Sequence, residues 1–206
     1  MAESTVKGPF DTGFSRREFL RGSGAVAAAG ALHSQAVAAN QEAQASGPAL
    51  ISGATTITLQ VNGEARKATV EPRTTLLEVL RTQLDLTGAK PISHDGSSGG
   101  STVMVDGKPM SASTLLAVAV VGKKIQTVES LGGAKPDAVV RAFVEHDALQ
   151  CGFCTPGFVM AVRAFLDKNP NASEAEIRGG LNGNLCRCGT YANIVQAAIA
   201  VVKGGK

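Results

Sequence analysis

The four cysteines of this 206-residue chain fall in two close pairs, Cys151-Gly152-Phe153-Cys154 and Cys186-Arg187-Cys188, a C-x2-C-x31-C-x-C pattern. For the pairs to act together, the chain between them must leave the first pair and return to the second. Four thiolates gathered in this way suffice to close a tetrahedral metal site or to ligate both irons of a [2Fe–2S] cluster. Gly152 and Gly189 let the backbone bend close to the sulfurs with no Cβ in the way. Each pair stands just before an expected helix start, at Thr155 and near Ala192, so positive helix ends would face an anionic group. Three other uses remain open. In an oxidising compartment the cysteines could form two disulfides; a Cys186–Cys188 bridge would be strained, but pairing across the two loops would not. Structural zinc more often uses two C-x2-C knuckles. Buried inert thiols are the third.

A second run has similar spacing and no sulfur. Serines stand at 93, 98, 101 and 113 in SHDGSSGGSTVMVDGKPMSAS, as S-x4-S-x2-S with the fourth after eleven further residues. With cysteines at those positions it would be the ligand run of a plant-type [2Fe–2S] ferredoxin. Serine does not supply the same chemistry. Cysteine ionises near ~8.5 and gives a soft thiolate, whereas serine stays protonated and offers a hard oxygen. The expectation is a loop that holds no cluster. Its Ser/Gly content predicts mobility. His94 and Asp95, adjacent and without a third partner, read as solvated loop residues rather than metal ligands.

The chain around these runs divides in two. Thr56 to Val61 alternates with period two as a half-buried strand, Asn62-Gly63 signals a hairpin, and Glu64 to Val70 is the returning strand. Leu76, Leu77, Val79, Leu80 and Leu84 form an apolar helical face. Thr102 to Val105 is a short strand closed by Asp106-Gly107, and Lys124 to Glu129 is another candidate. From Pro136 the pattern turns helical. Asp137 caps a helix to about His146, and Thr155 with Pro156 starts one to about Lys168. Ser173-Glu174-Ala175-Glu176 has capping-box form, and a last helix runs from near Ala192 towards Gly204. The division is a mixed α+β domain over 55–131 followed by an all-α domain over 136–203.

The first 38 residues read as an address. Ser15-Arg16-Arg17-Glu18-Phe19-Leu20-Arg21 resembles the twin-arginine export signal. A weakly apolar stretch, Gly24 to Leu32, follows, with a small-x-small cleavage site at Ala36-Val37-Ala38; an Ala-rich surface helix is the alternative. Residues 39–54 read as a linker. Export of this kind implies a periplasmic protein folded beforehand around a cofactor. From Ala39 onward 16 Lys/Arg face 14 Asp/Glu, a balance that favours neither nucleic acid nor an anionic membrane. Aromatic content of 4% with no Trp argues against a base-stacking surface. No apolar run is long enough for a stable membrane span.

Gln150–Gly157 (QCGFCTPG), Gly183–Tyr191 (GNLCRCGTY), Leu76–Arg81 (LLEVLR) and Thr102–Gly107 (TVMVDG) together resemble the small iron–sulfur subunit of the xanthine dehydrogenase / aldehyde oxidoreductase family of molybdenum hydroxylases. The likeness extends over nearly all of 55–203. It implies a β-grasp, [2Fe–2S] ferredoxin-like domain followed by a four-helix [2Fe–2S]-binding domain. Here it implies one cluster, on Cys151, Cys154, Cys186 and Cys188, because the ferredoxin-like loop carries serine. It also implies a large partner subunit whose molybdopterin oxidises an aldehyde or N-heterocycle. Gln150, Gly152 and Cys188 would face that cofactor, and a flavin subunit or cytochrome would accept the electrons. A redox-silent structural or assembly subunit, and less readily a zinc- or disulfide-stabilised binding protein, are the alternative readings.

Overall fold

Strand alternation and two tight turns build the first half of the molecule. The computed structural model describes residues 51–204; the twin-arginine segment and most of the linker read from sequence lie outside the described residues. Strand β1 (Thr55–Val61) turns at Asn62-Gly63 into β2 (Glu64–Val70), in register from Thr55↔Val70 to Val61↔Glu64. Both turn residues take positive φ, 52° and 87°, as a two-residue primed hairpin requires. Thr75 caps helix α1 (Leu76–Thr82) by accepting from the Glu78 N–H. Strands β3 (Thr102–Val105) and β4 (Lys108–Ser111) form a second hairpin, and β5 (Lys124–Gln126) closes the sheet.

The strand order is β2-β1-β5-β3-β4, with β5 parallel to β1 and antiparallel to β3. Leu59, Val61, Leu76, Val79, Leu80, Val103, Val105 and Ile125 form the core between sheet and helix. Three details differ from the sequence reading. Strand β4 carries Pro109 and three exposed residues; its lack of alternation hides it, and proline is tolerated because this is an edge strand. The stretch after Gln126 tightens into a 3-10 turn over Val128–Leu131 instead of continuing the strand. Helix α1 ends at Thr82, so Leu84 enters the core from beyond the helix end.

Four helices follow: α2 (Ala138–Glu145), α3 (Thr155–Lys168), α4 (Glu174–Gly180) and α5 (Tyr191–Gly204). Asp137 and Ser173 cap α2 and α4, and Ser173 completes a capping box with Glu176. The expected cap Thr155 is the first helical residue of α3, and Cys154 takes the cap position without a side-chain hydrogen bond. Phe143, Phe158, Val162, Ile177, Ile194 and Ala198 form the helical core, which also takes in Cys154 and Cys186. Burying one such phenylalanine contributes about 1.5–3 kcal/mol. Met104 of β3 packs on Met160 and Ala164 of α3, so sheet and helices belong to one compact unit beginning at Ile51. Among the described residues no helix is long and apolar enough to cross a membrane.

Candidate metal centre

The loop between α2 and α3 carries one cysteine pair, and the loop between α4 and α5 carries the other. Folding α3 and α4 as an out-and-back excursion returns the chain to its starting point, so that Cys151 and Cys154 of one loop and Cys186 of the other line one cleft. The influence runs across the loops: Cys151 and Cys188 shift one another's ionisation, and so do Cys154 and Cys186. The first pair is exposed and the second buried, giving an outer and an inner position. Gly152 and Gly189 take φ of +79° and +84°, so both loops use the backbone region that glycine enters freely.

All four thiols are free. Among the described residues no three His, Cys, Asp or Glu side chains close on a single ion position. Four free thiols, two from each loop, equal in number the ligands that a [2Fe–2S] cluster takes. Burial, with Cys186 as hydrogen-bond partner, pushes the Cys154 thiol up to about 12. Burial also opposes ionisation of Cys186, but the Thr190 hydroxyl and backbone, Cys154 and the Gly189 backbone outweigh it and hold Cys186 at about 7. The Phe153 N–H, with Cys188, lowers Cys151. For Cys188 the Cys151 backbone favours ionisation, but the Cys151 thiol, burial and neighbouring sulfurs prevail and raise it.

A cleft of about 440 Å³ opens beside the quartet, lined by Ile92, Ser98, Phe153, Leu185 and Tyr191 with three of the cysteines. Gln150 next to the outer pair is exposed. Arg187 also lines this cleft.

The serine loop lies against the cysteine loops. Ser93 and Ser98 are joined at 2.7 Å, while Ser101, Ser113 and Ser111 form a triangle with edges of 2.9 to 3.0 Å. Ser98, Ser101 and Ser113 are buried. His94 and Asp95 are exposed, as the sequence reading has it, while packing and mutual hydrogen bonding draw Ser98, Ser101 and Ser113 into the interior. Ser111, which the spacing argument passed over, joins because β4 runs beside β3. Asp95 does turn inwards on its own loop, accepting from the N–H and hydroxyl of Ser97. The Ser97 backbone, then its hydroxyl, hold the Asp95 carboxyl below its usual range.

Two backbone carbonyls of this loop reach the residues just before Cys186. Ser98 O accepts from the Leu185 N–H at 3.0 Å, and Gly99 O accepts from the buried Asn184 amide at 3.0 Å. Helix α3 touches the same point: a Cβ on Gly157 would stand 2.3 Å from Gly99 O. Two further residues that sequence reasoning assigned no role hold Cys186. Its N–H donates to Tyr191 Oη at 2.7 Å, and its sulfur lies 3.2 Å from Thr190 Oγ1. Both belong to the quoted GNLCRCGTY run, but their roles depend on how the loop folds back.

Comparison with known proteins agrees with this geometry. Residues 127–199 match the [2Fe-2S] binding domain family, and residues 13–33 match the twin-arginine translocation pathway signal sequence. The chain is 40% identical over 140 residues to the nicotinate dehydrogenase small FeS subunit of Eubacterium barkeri, covering 68% of this chain and 89% of that one. It is 36% identical over 208 residues to the aldehyde oxidoreductase iron-sulfur-binding subunit of Escherichia coli, covering 92% and 88%. Among solved structures, quinoline 2-oxidoreductase from Pseudomonas putida superposes with a TM-score of 0.70 at 41% identity, covering 73% of this chain and 94% of that chain.

Proposed function

Because the chain belongs to the family of small iron–sulfur subunits of aldehyde oxidoreductases and of nicotinate and xanthine dehydrogenases, we propose that it is the electron-transfer subunit of a periplasmic, molybdenum-dependent oxidoreductase and carries one [2Fe–2S] cluster. The observation that supports this reading is that the cysteines are free thiols on two loops that line one cleft. Cys151 and Cys188 would ligate an outer iron, and Cys154 and Cys186 an inner one. The cluster, when bound, stores one electron at a time.

The residues of this chain do the rest. Tyr191 and Asn184 fix the returning loop, while the buried positions of Cys154 and Cys186 shield the inner sulfurs from water. Gln150, Gly152 and Cys188 lie at the outer end of the quartet and are the proposed contacts with a molybdopterin cofactor on a large partner subunit. That partner would oxidise an aldehyde or N-heterocycle, and a flavin subunit or cytochrome would be the final acceptor.

The serine loop stands where the family resemblance implies a second cluster. We propose that these serines replace cluster cysteines and that the loop holds no iron. Support comes from the hydroxyls themselves: they satisfy one another, and four alcohols supply none of the soft thiolates that select iron–sulfur chemistry. The loop then buttresses Asn184 and Leu185 instead of relaying electrons.

Iron analysis and electron paramagnetic resonance of the purified full chain test this reading. The expected result is a brown protein with about two irons per chain and one reducible signal. Four irons would refute an iron-free serine loop. A colourless chain that cannot be reconstituted would favour the scaffolding role in such a complex, and bound zinc or an absence of free thiols would favour a zinc- or disulfide-stabilised binding protein.

A further inference from the structure

The sulfur of Cys186 has a polar neighbour besides the other cysteines: Thr190 Oγ1 at 3.2 Å. The first turn of α5 holds the Thr190 backbone in place. The Thr190 carbonyl accepts from the Ile194 N–H at 3.0 Å. Tyr191 accepts from the Cys186 N–H and stacks its ring edge-on against buried Phe158, with centroids 6.0 Å apart at 81°. The Asn193 amide donates to the His146 and Asp147 carbonyls at 3.0 and 3.2 Å, tying the same turn to the end of α2. These contacts hold the Thr190 backbone beside the sulfur, so the hydroxyl keeps the contact in its present rotamer.

In the free thiol either atom can donate. A sulfur that ligates iron has lost its proton, which leaves the hydroxyl as the only donor of the two. Cys186 is buried and the contact is part-buried, and a hydrogen bond in such surroundings is electrostatically stronger than in water. Hydrogen bonds to cluster sulfurs are one of the terms that set reduction potential. On reduction the cluster takes one electron and gains one negative charge; no bond breaks and no proton has to move. A fixed donor favours the more negative state.

Resting on the cluster reading above, we infer that Thr190 is a positioning residue whose hydroxyl donates to the ligating sulfur of Cys186 and raises the reduction potential of the cluster.

The test is a redox titration of the iron-loaded full chain, with dithionite as electron donor and the paramagnetic signal of the reduced state as readout. Thr190→Val and Thr190→Ala remove the hydroxyl, and Thr190→Ser keeps it. The expected result is a lower midpoint potential for the first two, a shift of about tenfold in the reduction equilibrium or ~59 mV for a one-electron couple, and a parental value for the serine variant. Iron-loaded Val and Ala variants that titrate with the parent would overturn the inference. So would loss of iron in both while Thr190→Ser stays loaded, since the hydroxyl would then serve assembly. A parent chain without iron removes the cluster reading itself, and that result is visible before any titration begins.

Discussion

Exchanging sulfur for oxygen alters more than ligand affinity. A hydroxyl near another hydroxyl can donate and accept at once, so the serines at 101, 111 and 113 close a ring of contacts that thiols would make only weakly. Each such bond contributes a net ~0.5–1.5 kcal/mol, and their burial makes them costly to break singly. Elsewhere single side chains act in predictable ways. The Ser173 hydroxyl accepts from the Glu176 N–H, while the Glu176 carboxylate accepts from the Ser173 N–H at 2.8 Å. Ser173→Ala should cost about 1 kcal/mol in denaturant unfolding. The Ser173 hydroxyl first, and its N–H second, hold the Glu176 carboxyl below its ordinary value. Because the folded value lies below the unfolded one, this support is present above the unfolded pKa and is lost as pH falls through the folded one. The melting-temperature gap between the parent and Glu176→Gln should therefore be open at pH 7 and close on acidification below pH ~4. This cap was legible in sequence because all its partners lie within four residues. Thr190 and Tyr191 were not legible in role, although their loop was.

At the scale of elements, the hairpin β1–β2, strand β3 and the caps of α2 and α4 follow from local patterns, and the structure has them where those patterns predict. What sequence did not reveal depends on contacts far apart in the chain. The Asn184 amide meets Gly99 O across 85 positions, and α3 rests its Gly157 on the same carbonyl. Replacing glycine by alanine inside a helix ordinarily stabilises it by about 1 kcal/mol. At Gly157 the sign should reverse, because the added methyl would press 2.3 Å from a backbone oxygen; overpacking of this kind costs about 1–3 kcal/mol. Thermal unfolding of Gly157→Ala should show a lower midpoint than the parent. If the midpoint rises instead, α3 does not bear on the serine loop as described. The buried serine loop is a related lesson. Small polar residues read as a mobile turn when their partners cannot be seen, and here the partners include Ser111, brought in by a strand that lacks the usual alternation.

At the scale of the whole molecule, a described unit beginning at Ile51 follows a leader matched to the twin-arginine signal at residues 13–33. Changing both Arg16 and Arg17 to lysine should leave full-length precursor in the cytoplasm, which cell fractionation and immunoblotting would show; undiminished processed protein in the periplasm would count against this route. The order in which the polypeptide is synthesised then matters. Strand β5 occupies the middle of the sheet but is specified by residues 124–126, so β1 and β2 wait on the ribosome without an inner neighbour until more than half of the protein has emerged. The second cysteine pair comes later still. The matched signal at residues 13–33 is therefore made well before Cys186 and Cys188, and the interval between the two is set by translation itself.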